Sequence, residues 1–363
     1  MPLFLTAGAA GLLTVVLWPG VRAQPSTIID FLDKYERGDD SGVSSLANSD
    51  VGYLSRELVR RGEDWINAGG RDSRARRRLL AATFGLELAG ARFEEKWHEV
   101  RHLIEWGCDL LRKDPPREAE RLWYVASVSL ADGARDQLLL IGARPDLPMA
   151  SHVGHAHKRF PDDARFPFAI AVSHESNLNE PKREETWESE ASLKKRAPFD
   201  LDARFALTRR AAARRYIDRL REFQDNPALG AEAHLRTGRL LYVLHEPAQA
   251  LVHFTEVMKR TDDPVFIHLA HLFSARSFVQ RGERDLAAAA FRQSLVAVPG
   301  AQAASMELAA LLFAEGRPGD GYAVMNASFA VQPQPRDPWR LYGYRTFRFW
   351  PAHISALRRE IRR

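Results

Sequence analysis

Apolar side chains recur every three or four residues along most of this chain, and the strict alternation of a half-buried strand is almost absent. This periodicity is typical of amphipathic helices and predicts an all-α fold. Between residues 71 and 175 we expect degenerate helical repeats. The candidate helices in that range are Asp72–Leu88, Phe93–Leu111, Arg117–Ala131, Asp136–Ile141, Met149–Arg159 and Asp163–His174.

Two stretches interrupt the helical pattern. Residues 24–70 are predicted to form a polar lead, which ends at the breaker Gly69-Gly70. Residues 176–200 are highly charged and contain two prolines, so we expect a charged loop or insertion there. A very basic helix is predicted next, near Leu201–Phe223.

From Ala231 onward the sequence repeats itself with a period near 34 residues. Gly282 and Gly316 are 34 residues apart, and Pro264 and Pro299 close successive units. The first helix of each unit carries a small residue, at Gly238, Ala275 and Ala309. The second helix carries another small residue, at Ala250, Ala287 and Gly321, and a large apolar residue, at Phe254, Phe291 and Met325.

This repeat resembles the tetratricopeptide repeat (TPR) family. The resemblance implies that residues 201–336 form an array of TPR-type helix pairs in a right-handed α-solenoid, with paired helices packing closely at the small residues. The sequence departs from the family pattern at four positions. His234, His271 and Ser305 stand where an aromatic residue or leucine is usual, and His245 stands where glycine is usual.

In a TPR array the first helix of each repeat lines a concave groove, which is where a partner binds. The resemblance therefore predicts the partner-binding residues, which are Arg236, Arg239, Tyr242, Phe273, Arg276 and Gln280. Guanidinium groups chelate carboxylates and aromatic rings supply apolar area, so the groove favours a protein or peptide, in particular an acidic one. The alternative is that these arginines only keep the groove soluble.

Residues 337–363 interleave aromatic residues with arginine and are predicted to cap the array. We expect the aromatic residues to pack under the final repeat, and a helix from Pro351 to turn its apolar side inward. The residues are Trp339, Tyr342, Phe347 and Trp350, then Ile354, Leu357 and Ile361. The same composition would suit single-stranded nucleic acid, which an exported protein seldom meets, so we expect no nucleic-acid partner.

Export is predicted from the N-terminus, where an apolar run is followed by a site for signal-peptidase cleavage after Ala23. Residues 1–23 would then be a signal peptide, and the mature chain would be periplasmic or secreted without stable insertion in a membrane. An uncleaved anchor and a buried helix are the alternatives. The single cysteine, Cys108, excludes an internal disulfide, and the formal net charge of +5 mildly favours acidic partners.

Residues 98–102 read HEVRH and match the H-E-x-x-H pattern of zinc peptidases. Such a site needs a third protein ligand, for which Glu118 or Glu120 is at a plausible separation. On a helical wheel both histidines fall on the polar side, and Arg101 places a cation between them. We therefore expect His98 and His102 to lie on a solvated helix face and to bind no metal. The histidines at 152, 155 and 157 are likewise expected to form a polar helix face and not a metal site. The predicted function is a non-enzymatic interaction module or scaffold of a bacterial cell envelope, without metal or cofactor, and the alternative is a zinc metallopeptidase.

Overall fold

The computed structural model describes residues 28–39, 51–91, 97–113, 117–140, 149–173, 190–333, 337–343 and 350–362. Within these ranges all regular structure is helical, which confirms the all-α prediction. The predicted signal peptide lies outside the described residues. The helices are α1 (Ile28–Glu36), α2 (Val51–Ala68), α3 (Arg74–Ala91), α4 (Trp97–Leu111), α5 (Glu118–Leu140), α6 (Met149–Arg159), α7 (Arg165–Ser173), α8 (Glu190–Arg196), α9 (Leu201–Arg221), α10 (Gly230–Val243), α11 (Pro247–Arg260), α12 (Pro264–Gln280), α13 (Arg284–Ala297), α14 (Gln302–Ala314), α15 (Pro318–Ala330), α16 (Pro338–Gly343) and α17 (Trp350–Ile361).

The N-terminal part of the structure is a helical core to which α1 and α2 contribute. This differs from the polar lead expected over residues 24–70. Leu32 and Leu58 are fully buried, Trp65 is almost so, and the Trp65 indole donates a hydrogen bond of 2.7 Å to Asp33. Few but regularly spaced apolar residues therefore suffice to hold both helices against α3, although the composition around them is polar.

Two further boundaries differ from the sequence-based prediction. The helices expected at Arg117–Ala131 and Asp136–Ile141 are one continuous helix, α5, which passes through Gly133. The charged stretch 176–200 contains α8, whose Leu193 is buried and which packs against α9. Helix α5 continues through Gly133 because a single glycine destabilises a helix interior by only ~1 kcal/mol, which tertiary packing readily offsets.

The repeat region consists of three helix hairpins, α10–α11, α12–α13 and α14–α15, each joined by a three-residue turn. Successive hairpins stack, because α11 packs on α12 and α13 packs on α14, which is the arrangement of an α-solenoid. The turns need a residue with positive φ, and this is supplied by Gly282 (77°), Gly316 (73°) and His245 (58°). His245 thus takes the left-handed conformation that glycine usually supplies at this position.

The C-terminal segment follows a path that the sequence did not predict. Helix α16 lies across the hairpins and contacts α12. Helix α17 packs against α5 and α3, in the N-terminal part, rather than under the third repeat as expected. Its Ile354 and Leu357 are buried there, and Arg358 forms an ion pair with the buried Glu87, which also accepts a hydrogen bond from the Tyr35 hydroxyl.

A cavity of about 250 Å³ lies where the N-terminal helices, the first two hairpins and α17 meet. Phe166, Phe168, Phe266 and His353 are among the residues that line it. Burial, together with the nearby Arg165, lowers the pKa of His353 to about 4, so this side chain is neutral at neutral pH. Helix α17 thus forms one wall of this cavity. In the part of the chain that the structure describes, no helix has the length and apolar character needed to cross a membrane.

Candidate functional site

The six predicted groove residues lie on the first helices of the first two hairpins, and the structure brings four of them together. Arg236 and Arg239 on α10 are 1% and 8% exposed, Phe273 on α12 is fully buried, and Arg276 is largely buried. All four lie beneath α16. The other two, Tyr242 and Gln280, meet at the helix ends, where the Gln280 amide donates a hydrogen bond of 3.3 Å to the Tyr242 carbonyl oxygen.

Tyr342 occupies the part of the groove formed by α10 and α12. Its ring lies 5.0 Å from the guanidinium carbon of Arg236 and 5.4 Å from that of Arg239, measured to the ring centroid. It also makes an edge contact with Phe273, with the two centroids 5.5 Å apart. Tyr342 is 3% exposed, so these cation–π contacts are shielded from water. Cation–π contacts are strongest when both groups are shielded in this way.

Trp339 occupies a neighbouring subsite. Its indole lies 4.5 Å from the guanidinium carbon of Arg276 and 5.6 Å from that of Arg239, and it meets Phe273 edge to face at 5.5 Å. Trp339 and Tyr342 are three residues apart on α16, which places them on the same side of one helical turn. Their rings are stacked with centroids 5.9 Å apart, so the two subsites form one continuous aromatic contact.

Asp337 fixes the start of this segment against α14. One carboxylate oxygen accepts a hydrogen bond of 2.7 Å from the backbone N–H of Ala303, in the first turn of α14. The other accepts a bond of 2.8 Å from the Trp339 N–H and so caps α16. The N-cap residue of α14 is Ala301, whose side chain cannot accept a hydrogen bond. The carboxylate of Asp337, 34 residues after Ala303, takes the place of a capping side chain.

Two glutamates neutralise arginines in the groove, and the sequence analysis missed both. Glu232 pairs with Arg236 one helical turn away on α10, with Nε to Oε1 at 2.8 Å. Glu307 on α14 forms a bidentate pair with Arg276, with bonds of 2.9 and 2.5 Å. The spacing of four residues signals the first pair. The second joins two helices, and no local pattern in the sequence indicates it.

On the third hairpin, the Met306 and Phe313 side chains of α14 are 49% and 39% exposed, and the Phe313 ring contacts Tyr322 of α15. The part of the groove that α10 and α12 form is filled by the chain itself.

The HEVRH stretch lies on α4, with His102 exposed on the polar side of the helix and Leu103 and Ile104 buried. Arg101 forms an ion pair of 2.8 Å with Glu105 on the same face. The side chains of His98 and Glu99 lie outside the described residues. What is described of α4 agrees with an amphipathic helix that turns this face to solvent.

The two carboxylates expected as a third zinc ligand are engaged elsewhere. Glu120 is buried and pairs with the Arg159 guanidinium on α6, while Glu118 pairs with Arg121 at 3.2 Å. Within the described ranges, no group of three or more histidine, cysteine, aspartate or glutamate side chains is arranged to hold a metal ion.

In the second histidine cluster, His152 is not on the polar helix face that the sequence predicted. His152 lies in the contact between α6 and the preceding helices, with Nδ1 3.6 Å from the sulfur of Cys108 and Nε2 2.9 Å from the hydroxyl of Ser127. His155 is partly buried and its ring lies against Tyr124. His152 faces inward because α6 packs on α5 through this side, whereas His157 is only partly buried.

The protonation of this cluster argues against a cysteine nucleophile. Burial lowers the pKa of His152 to about 4, helped by the neighbouring His155. Burial also raises the pKa of the Cys108 thiol to about 12. At neutral pH a neutral thiol faces a neutral imidazole, whereas a reactive cysteine needs an environment that stabilises the thiolate.

No protein-family model matches this chain, and a search of curated proteins finds no similar sequence. The functional interpretation therefore depends on the repeat pattern and on the geometry of the groove.

Proposed function

We propose that the protein is an exported, non-enzymatic interaction module of the TPR type that binds a peptide segment of a partner protein on the concave face of α10, α12 and α14. The observation that carries this proposal is that the groove already holds a short peptide segment, residues 337–343, through side chains. Asp337, Trp339 and Tyr342 are bound by a helix N-terminus, by arginines and by an aromatic ring.

Electrostatics supports an acidic partner. Residues 190–221, which include α8 and α9, carry ten basic and four acidic side chains, a net charge of +6 against +5 for the whole chain. The positive charge of the protein is thus concentrated on one helix hairpin that precedes the groove. Such a field attracts acidic chains and speeds their association at low ionic strength.

The proposal is tested by selecting peptides from a displayed random library on the full-length protein. We expect the selected peptides to carry an acidic residue and aromatic residues, and to bind at least ten-fold more weakly to the variants Arg239→Ala and Gln280→Ala. The matched control is Arg215→Ala, an exposed arginine on α9 away from the groove.

Two results would count against the groove as the binding site. One is a selection that enriches no peptide. The other is a set of peptides that the groove variants and the α9 variant bind with the same affinity, since those peptides would then bind elsewhere on the protein.

A further inference from the structure

The segment at residues 337–343 is bound to the repeat hairpins in the way a ligand is bound. The three hairpins stack directly on one another through α11 with α12 and α13 with α14, so the segment is not a connecting layer between them. It lies on their concave face and is held there by Asp337, Trp339 and Tyr342. Every one of these contacts joins a side chain of the segment to the groove.

We propose that residues 337–343 are an internal ligand that occupies the groove in competition with the partner, and that the partner is a peptide with the same chemistry. This inference rests on the proposed function. The partner peptide carries an acidic residue followed by aromatic residues two and five positions later, as in Asp337, Trp339 and Tyr342. Binding of the partner displaces α16 from the groove.

Each part of this motif corresponds to a subsite on the hairpins. The acidic position is set by the first turn of α14, which offers its backbone N–H groups and has alanine as its own N-cap. The first aromatic position is set by Phe273 and Arg276, and the second by Arg236 and Arg239. An aliphatic side chain has no ring face to offer the guanidinium groups, so the subsites discriminate in favour of aromatic residues.

The attachment of α17 explains how the segment can be displaced without leaving the molecule. Helix α17 is fixed on α3 and α5 by Leu357 and by the pair between Arg358 and Glu87. The segment is therefore tethered near the groove, and a short tether gives a local concentration on the order of millimolar. A free peptide competes against this concentration in the wild-type protein, and the competition disappears when the segment loses its aromatic side chains.

The test measures binding of a fluorescent peptide that reproduces residues 335–346 to full-length protein by fluorescence anisotropy. The variant Trp339→Ala/Tyr342→Ala removes the internal competitor. We expect it to bind the peptide at least ten-fold more tightly than the wild type does, and to bind a scrambled peptide of the same composition no better than the wild type does. Adding Arg239→Glu to the variant should abolish the gain.

A milder variant keeps the test decisive if the double substitution prevents folding. Asp337→Asn weakens the caps of α14 and α16 while leaving both aromatic side chains in place, and we expect a three- to ten-fold gain in peptide affinity. In the wild type, an excess of the unlabelled peptide should speed backbone hydrogen exchange at residues 337–343, because it replaces the segment in the groove.

The outcomes separate the two proposals. Equal affinity for the wild type and for the folded variants would overturn the internal-ligand proposal. So would a variant that binds library-selected peptides through Arg239 but not the peptide of residues 335–346, although the groove function would then stand. A wild-type dimer that becomes monomeric in the double variant would also overturn it, because the segment would then be exchanged between two copies. If the opened groove binds neither kind of peptide, both proposals fall.

Discussion

Replacing Gly238 with alanine tests the close packing on which the groove is built. Gly238 lies on α10 where that helix meets α11, and a Cβ atom there would be 2.5 Å from the nearest ring carbon of Phe254. Phe254 is fully buried and stacks on Phe273, with centroids 5.7 Å apart. The ring cannot move away from α10 without pressing on Phe273, which forms the floor of both aromatic subsites.

The magnitude follows from two opposing effects. Alanine is favoured over glycine in a helix interior by about 1 kcal/mol. Forcing a methyl group into a filled core typically costs about 1–3 kcal/mol, and the distance at Gly238 places this site at the costly end of that range. We therefore expect a net loss of about 1–2 kcal/mol, and a melting temperature lowered by about 1–3 °C.

The assay is thermal and urea unfolding followed by circular dichroism, with Gly154→Ala as the matched control. Gly154 is also within a helix, α6, but no atom other than those of its own helical turn lies within 4 Å of the position of its Cβ, so alanine should stabilise the protein there by up to about 1 kcal/mol. If Gly238→Ala melts at the wild-type temperature or above while Gly154→Ala behaves as expected, the packing argument is refuted.

Three further predictions concern charged and titratable groups. Replacing Arg358 with methionine leaves the buried Glu87 without its ion-pair partner and should lower the free energy of unfolding, measured with urea, by about 3 kcal/mol. A decrease below about 0.5 kcal/mol would mean that α17 is not anchored by this pair. Burial lowers the pKa of His152 in the folded protein to about 4, from about 6.5 for an ordinary histidine, so the unfolded chain takes up a proton first as the pH falls. This histidine therefore contributes stability above about pH 6.5 that is lost as the pH falls to 4. The free energy of unfolding of His152→Asn should therefore fall less than that of the wild type between pH 7 and pH 4.5, by on the order of 2 kcal/mol. An unchanged pH dependence would contradict the lowered pKa of His152. Replacing His98 and His102 with alanine should change the unfolding free energy by less than about 0.5 kcal/mol with no zinc found by elemental analysis, whereas one equivalent of zinc in the wild type would support the metallopeptidase alternative.

The repeat hairpins could be predicted from the sequence because their packing depends on local signals. The small residue at Gly238 and the large residues at Phe254 and Phe291 recur at a fixed period, and the structure buries both phenylalanines within the contacts between helices. The helices α1 and α2 could not be predicted in the same way. Their buried residues are few and lie among many polar residues, so the helical spacing of the apolar positions is weak in the sequence. The two helices are stabilised by packing on α3, which the local sequence does not indicate.

The groove was predicted in part, for a related reason. The repeat register identifies which residues of α10 and α12 face inward, and Arg236, Arg239, Phe273 and Arg276 are all found beneath α16. The occupant was not predicted, because its contacts connect positions far apart in the chain. Neither helix periodicity nor spacing records that Asp337 caps α14, or that α17 continues to the N-terminal core instead of ending under the third hairpin.

The burial of the groove arginines limits which occupants the groove can accept. Taking a guanidinium group out of water is costly unless another group compensates for the lost hydration. Glu232 does so for Arg236 and Glu307 for Arg276, and both pairs remain when α16 is absent, because they are formed within and between the hairpins. Both rings of the segment also lie against the guanidinium group of Arg239. An occupant with a ring face or a carboxylate at this position keeps a favourable contact with that cation, and for this reason the groove selects for the chemistry of its ligand and not only for its shape.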